Sequence, residues 1–378
     1  MRNRVVRTRI PSRLAAGLCA TCAGLCAILS TGFAGASPLE AAHVPADTAW
    51  VLHIDFERFY ASQVGRAIVD HGPDADERRE MVEQFGFDYL TDLKAITTYG
   101  QVAEDGARRE TTIVYATAAA DEALRHAESE FEGFHAVTHD GASMFTWSES
   151  EDDGLEMKPR YGALYDPGVP DRRIIAVGPT PEDVAGALAL LAGRGRSLKD
   201  DAARLADVPA RDGVFVQGVA FSLDHARTMH LASEILKEAR QVAGQIGESD
   251  GRLFSELIFT ARAADRVQQI TQVAQGLLAL ARLSMSADDD SPNPLLGFLA
   301  NITVLAEGPV VRVRFEAPSE AVAGVMGTSV GRDANGHFAV GAWLHDGDPR
   351  RRDDAPKDEP ATESTPAAPR KGSTPDHP

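Results

Sequence analysis

Short runs of alternating apolar and polar residues, each closed by a glycine turn, recur along this chain and leave few folds open to it. Val311, Val313 and Phe315 alternate with Arg312, Arg314 and Glu316 behind Glu307-Gly308-Pro309, which predicts a hairpin over 302–315. Residues 134–148 predict another, closed by Asp140-Gly141, a dipeptide that tolerates the positive φ of a tight turn. Asp105-Gly106 joins the run 94–101 to the run 110–117. Turns this tight pair their strands antiparallel. Trp50, Leu52, Ile54 and Phe56 alternate with Val51, His53 and Asp55, marking a half-buried strand over 50–56 whose Trp50 face is expected to meet the core.

Helices interrupt the strands. Leu124, Ala127 and Phe131 share one face, as do Val184, Leu188 and Leu191 behind the start signal Thr180-Pro181-Glu182-Asp183. Two longer apolar stripes predict helices in the second half. One carries Met229, Ala232, Ile235, Leu236, Ala239, Val242 and Ile246; the other carries Val267, Ile270, Ala274, Leu277 and Ala281.

A length of 378 residues suits two domains, and the charged, Pro-containing stretch 194–212 places their boundary near 205. The two halves echo each other in strand and helix order, so a degenerate duplication is a working hypothesis. The expected fold is α+β: two tandem antiparallel-sheet domains, 44–205 and 206–345, with helices packed on one face of each. From Asp346 to Pro378 the chain is rich in Pro, Asp, Thr and Ala and holds no large apolar residue, which predicts a disordered acidic tail.

The N-terminus carries Arg2, Arg4, Arg7, Arg9 and Arg13 with no acid before Glu40, then the apolar stretch 14–33 and Ala34-Gly35-Ala36. This is the pattern of a secretory signal peptide, 1–36, cut after Ala36. A retained anchor or a lipid-anchored form are the alternatives. Cys19, Cys22 and Cys26 all lie inside this stretch, so the cut chain has no cysteine and is held by its core alone. Removing five arginines from 38 bases leaves 33 against 56 acids and moves the net charge from −18 to −23. Such a charge disfavours nucleic acid as a partner.

The segment Val44-Pro-Ala-Asp-Thr-Ala-Trp50-Val-Leu-His53-Ile-Asp55, then Ala61-Ser-Gln-Val-Gly65-Arg-Ala-Ile, then Phe85-Gly-Phe87-Asp88 through Asp92-Leu93 to Tyr99-Gly100, resembles uncharacterised secreted proteins of planctomycete-type bacteria. The resemblance covers about the first hundred residues. It implies an exported bacterial protein with a tandem α+β build, and no activity.

Catalytic signatures are missing. Gly193-Arg-Gly195-Arg-Ser197 follows a helix, whereas phosphate loops follow a strand, so it reads as a helix C-cap and linker. There is no H-E-x-x-H and no G-x-S-x-G; Gly141-Ala-Ser143 lacks the closing glycine and sits in a hairpin. His53 and Asp55, two apart on a strand, share a face and are a candidate pair for a metal or a proton. His135 and His139 flank the Asp140-Gly141 turn. Glu149, Glu151, Asp152 and Asp153 form one acidic loop and Asp288, Asp289, Asp290 and Asn293 another, but neither has the alternating calcium register. Asn301-Ile-Thr303 matches a glycosylation acceptor at the start of a strand.

The expectation is therefore an exported, periplasmic or secreted, non-enzymatic protein of the cell envelope. It has a binding or structural role toward an envelope or extracellular partner, no cofactor or metal, and no membrane span once the signal is removed. The alternative is a secreted hydrolase whose site lies in a cleft between the halves, lined by His53, Asp55 or the acids of 149–153.

Overall fold

The computed structural model describes residues 38–71, 75–102, 108–130, 133–150, 157–208, 211–223, 238–286 and 294–329. All of these belong to one compact unit that ends at Gly331. The N-terminal 37 residues, the Asp105-Gly106 turn, the helix stripe over 229–236, most of both acidic loops and the C-terminal tail lie outside the described residues.

In chain order, β1 (Trp50–Asp55) leads into α1 (Phe56–Tyr60), α2 (Gln63–His71) and α3 (Ala75–Phe85), then β2 (Leu93–Val102) and β3 (Arg108–Ala116). After α4 (Ala120–Glu130) come β4 (His135–His139), β5 (Ala142–Ser150), β6 (Met157–Tyr165), β7 (Arg173–Gly178) and α5 (Pro181–Leu191). The rest is β8 (Val214–Ala220), β9 (Ala239–Ser249), β10 (Arg252–Ala261), α6 (Arg266–Ser286), α7 (Pro294–Leu299), β11 (Ile302–Glu307), β12 (Val310–Pro318) and α8 (Ser319–Ser329).

The strands form a single twelve-stranded sheet in the order β11-β12-β10-β9-β8-β1-β2-β3-β7-β6-β5-β4. Every pairing in it is antiparallel. The fold is α+β, and the expected boundary near 205 falls inside the unit, between β7 and β8. The two halves share one sheet through a seam in which Trp50 to Ile54 of β1 pair with Ala220 to Val216 of β8. On either side of the seam the strands follow one plan. Each half runs first, second, third, last, next-to-last: β1-β2-β3-β7-β6 on one side and β8-β9-β10-β12-β11 on the other, with β5 and β4 added to the first.

Helix placement departs from the expectation of one covered face. On one face, Val51, Ala95, Tyr99, Ile113, Tyr115 and Ala176 pack with Val184, Ala187 and Leu191 of α5. On the opposite face, Ile54, Val216, Leu253 and Ala317 pack with Phe59 of α1, Val64 of α2 and Val322 of α8. Phe259, Ala261 and Val311 pack there with Ile270 and Ala274 of α6. A sheet of twelve strands has two broad faces, and helices from both halves are recruited to cover them. In the second half, the first of these faces is crossed by the chain before β8. Asp207 accepts from Thr260 Oγ1 at 3.0 Å, and the Arg211 guanidinium lies 3.5 Å above the Phe254 ring and pairs with Glu316.

Several local expectations hold. Asp140 and Gly141 take φ of 48° and 80° between β4 and β5. Gly308 takes φ of 58° between β11 and β12. Thr180 caps α5 by accepting the Asp183 N–H, and Gly193 ends it with φ of 71°. Others are corrected. Ala239, Val242 and Ile246 lie in strand β9, not in a helix. Gln241, Ala243 and Gln245 alternate at a strand period through the same segment, and Gly244 and Gly247 weaken a helix there while a side chain at Gly247 would strike the Phe254 ring. The strand at 50–56 stops at Asp55, because that side chain caps α1 by accepting the Arg58 N–H at 2.9 Å. The Val51, His53 and Asp55 face is also fully buried, more so than Trp50 or Leu52, since β1 is central and covered on both sides.

Candidate functional site

Directly paired residues of an antiparallel sheet point to the same face. Followed strand by strand, the register aligns Thr97, His53, Gln217, Gln245, Glu256, Arg314 and Thr303 in one row across β2, β1, β8, β9, β10, β12 and β11. Seven consecutive polar residues run in this row from the centre of the sheet to its β11 edge, and four of them, Thr97, His53, Gln245 and Glu256, are at most 3% exposed.

At one end, His53 Nδ1 and Thr97 Oγ1 are 2.8 Å apart. The Thr97 hydroxyl also bonds the Tyr115 phenol, whose oxygen is 2.9 Å from His43 Nδ1. The His43 and Tyr115 rings stack at 5.9 Å. Burial raises the Tyr115 phenol above its ordinary range and lowers His43 below its own, so both are held neutral at neutral pH.

At the other end, Glu256 accepts from Gln245 Nε2 at 2.7 Å and from Arg314 at 2.9 Å, with Arg312 at 3.5 Å. Burial pushes this carboxyl upward, but the hydrogen bonds from Gln245 and Arg314 and the two guanidinium charges outweigh it, leaving the group below the usual carboxylate range. Glu256 is therefore ionised, and its charge is answered within the protein.

Glu248 of β9 points to the opposite face. Its carboxylate accepts from the Ser319 hydroxyl at the start of α8, and burial raises it to about 7, against a weaker lowering by Arg66 of α2. The Glu248 N–H bonds the Gly213 carbonyl at 3.0 Å. Gly213 has φ of 83°, and a Cβ there would fall 1.6 Å from the Glu248 carbonyl oxygen, so the chain requires glycine.

A groove of about 310 Å³ runs along α5. Tyr99 and Leu190 give it an apolar floor; Glu182 and Asp183 stand at one end of the helix, and Arg194 and Arg196 at the other. Asp183 lies 3.7 Å from Arg109.

The structure buries His53 and Asp55 in the seam, the first bonded to Thr97 and the second capping α1. His135 bonds the Gly133 carbonyl; His139 lies 3.6 Å from Asp140 and 3.7 Å from Glu182. Among the described residues no group of three His, Cys, Asp or Glu side chains is placed to hold a metal ion, and no helix is long and apolar enough to cross a membrane. The residues that sequence reasoning passed over are Gln217, Gln245, Glu248 and Glu256. Arg312 and Arg314 were visible only as the polar face of a hairpin, because their partner lies on another strand, 58 positions from Arg314.

No protein-family model matches the chain, and no curated protein matches it. Solved structures of a protein called TP0453 align with it. Crystal form I gives a TM-score of 0.34 at 10% identity, covering 76% of this chain and 96% of that one. Crystal form III gives 0.37 at 12% identity, over 76% and 97%. Likeness at this level assigns neither a family nor an activity.

Proposed function

We propose that this is an exported protein of the cell envelope that works without catalysis, by binding a partner or by a structural role. The observation that carries this reading is the polar row. A catalytic acid, base or nucleophile must come within hydrogen-bond reach of its substrate. Here Thr97, His53 and Glu256 are buried, and Thr97–His53 and Gln245–Glu256–Arg314 bond among themselves. The export half of the reading rests on the arginine-led apolar N-terminus, and the resemblance to secreted planctomycete-type proteins agrees with it. The groove along α5, with acids at one end and arginines at the other, is where binding is best sought.

The test has two parts. Expressed with its N-terminal segment in a bacterium whose envelope can be fractionated, the chain is expected in the envelope fraction with the mass of a protein starting at Ser37. The purified protein is expected to turn over no ester, peptide, glycoside or phosphoester substrate, while His53→Asn and Glu256→Gln lower its melting temperature. Turnover that disappears in either variant at a temperature where the variant is folded would replace this reading with the hydrolase.

A further inference from the structure

Charge along the α5 groove is answered at one end and open at the other. Asp183 accepts from the Thr180 hydroxyl at 2.6 Å and lies 3.7 Å from Arg109, and Glu182 lies 3.7 Å from His139, so the acids at the start of the helix have partners. Arg194 and Arg196, which line the far end, have none: among the described residues no carboxylate lies within 4 Å of either guanidinium, and neither guanidinium donates a hydrogen bond. Asp200 feels the charge of Arg196 but bonds the Ser197 N–H and hydroxyl instead. Nor does the helix end occupy the two cations. Its last carbonyls are closed by the chain itself, Leu188 by the Ala192 N–H, Ala189 by the Arg194 N–H and Leu190 by the Gly193 N–H.

Between its ends the groove is apolar. Tyr99, Ala187 and Leu190 are at most 8% exposed, and the Tyr99 phenol bonds the Thr111 hydroxyl, so these residues offer a ligand ring and hydrocarbon. Gly186 of α5 lines the groove beside them. Glycine inside a helix costs about 1 kcal/mol against alanine, and a Cβ at Gly186 would meet nothing within 4 Å. Gly276 of α6 and Gly324 of α8 are equally open, but of these three Gly186 is the one whose missing side chain leaves room in a cavity. A volume of about 310 Å³ is at the lower end for small-molecule sites, so the occupant is small. Guanidinium groups match the geometry of an oxyanion, repel a cation and are left unused by a neutral ligand.

We infer that the α5 groove binds a small organic acid, its carboxylate held by Arg194 and Arg196 and its apolar body lying along Tyr99, Gly186 and Leu190. This rests on the binding reading above and gives it a ligand class.

Ligand-observed NMR titration of the purified full chain tests it, with octanoate and phenylbutyrate as probes. Their amides supply the body without the charge; acetate and inorganic phosphate supply charge without the body. At least one of the two acids is expected to bind with a Kd of about 1 mM or tighter, and its amide, acetate and phosphate about tenfold more weakly or worse. Arg194→Gln/Arg196→Gln is expected to weaken the acid about tenfold and to leave its amide unchanged. Arg125→Gln, an exposed cation of α4, should change neither. Gly186→Leu is expected to weaken acid and amide alike without lowering the melting temperature, since leucine is the better helix former. Phosphate binding as tight as the acids would reduce the site to a bare anion contact and overturn the inference. The same follows if neither acid binds saturably in that range, or if binding survives the double arginine variant. None of these outcomes touches the non-catalytic reading, which stands or falls on the fractionation and turnover tests above.

Discussion

Gln245 and Glu256 stand directly opposite each other on β9 and β10, and the Gln245 amide donates a 2.7 Å hydrogen bond to the Glu256 carboxylate. Both side chains are 1% exposed. The carboxylate is also the point on which Arg312 and Arg314 converge from β12. Removing the common partner should therefore cost more than removing one cation. Glu256→Ala is expected to destabilise the protein by about 3 kcal/mol, since it takes the shared anion from both guanidinium groups and leaves Arg312 only the exposed Glu307. Arg314→Ala, at a half-exposed position, is expected to cost about 1 kcal/mol. Urea unfolding of both variants checks the order, and equal losses would show that Glu256 is not the hub.

Glu248 gives a pH dependence with a definite sign. In the folded protein this carboxyl holds its proton up to about pH 7, against an ordinary value of 4.5. Between those values the folded state binds more protons than the unfolded one, so this group's contribution is fully present below about pH 4.5 and is lost as the pH rises through 7. Melting temperature should fall over that interval, and Glu248→Gln, which keeps a neutral group beside Ser319, should remove that part of the slope. The opposite-signed contribution of Asp88, lowered chiefly by its hydrogen bond from Arg78, lies below the carboxylate range and does not overlap this window.

Two glycines should respond in opposite directions to alanine. At Gly213 the positive φ and the Glu248 carbonyl leave no room for a Cβ, so Gly213→Ala is expected to cost more than about 2 kcal/mol. At Gly186, inside α5, nothing lies within 4 Å of the added atom, and Gly186→Ala is expected to stabilise by about 0.5–1 kcal/mol. Thermal melts of the two variants on either side of the parent would bear this out.

Arg211 pins the chain before β8 to the sheet through the Phe254 ring and Glu316. Arg211→Ala is expected to cost about 1 kcal/mol and to increase cleavage between residues 205 and 213 in limited proteolysis. Unchanged cleavage would mean that Asp207, held by Thr260 and Arg240, anchors the crossing without it.

What the sequence made legible was local. The hairpins at Asp140-Gly141 and Gly308 follow from turn chemistry carried by two residues, and α5 from a cap, a first-turn proline and two acids in succession. The strand β9 was misread because Ala239, Val242 and Ile246 satisfy a helical spacing while Gln241, Ala243 and Gln245 satisfy a strand spacing, and only pairing with β8 and β10 decides between them. The burial of His53 could not be read from alternation, which shows two faces but not that both are covered. The polar row was out of reach for a stricter reason: its seven residues come from seven strands, and their alignment exists only once every register between them is fixed.

The β1–β8 seam also bears on how the chain reaches its fold. Trp50 and Ala220 are neighbours in the sheet although 170 positions separate them. At about 5–20 residues per second, β1 is made on the order of ten seconds before its partner exists. Throughout that interval β1 has β2 as its partner on one side, and its other side is an open edge. Any machinery that delivers the chain has to keep that edge from finding a wrong strand until β8 arrives.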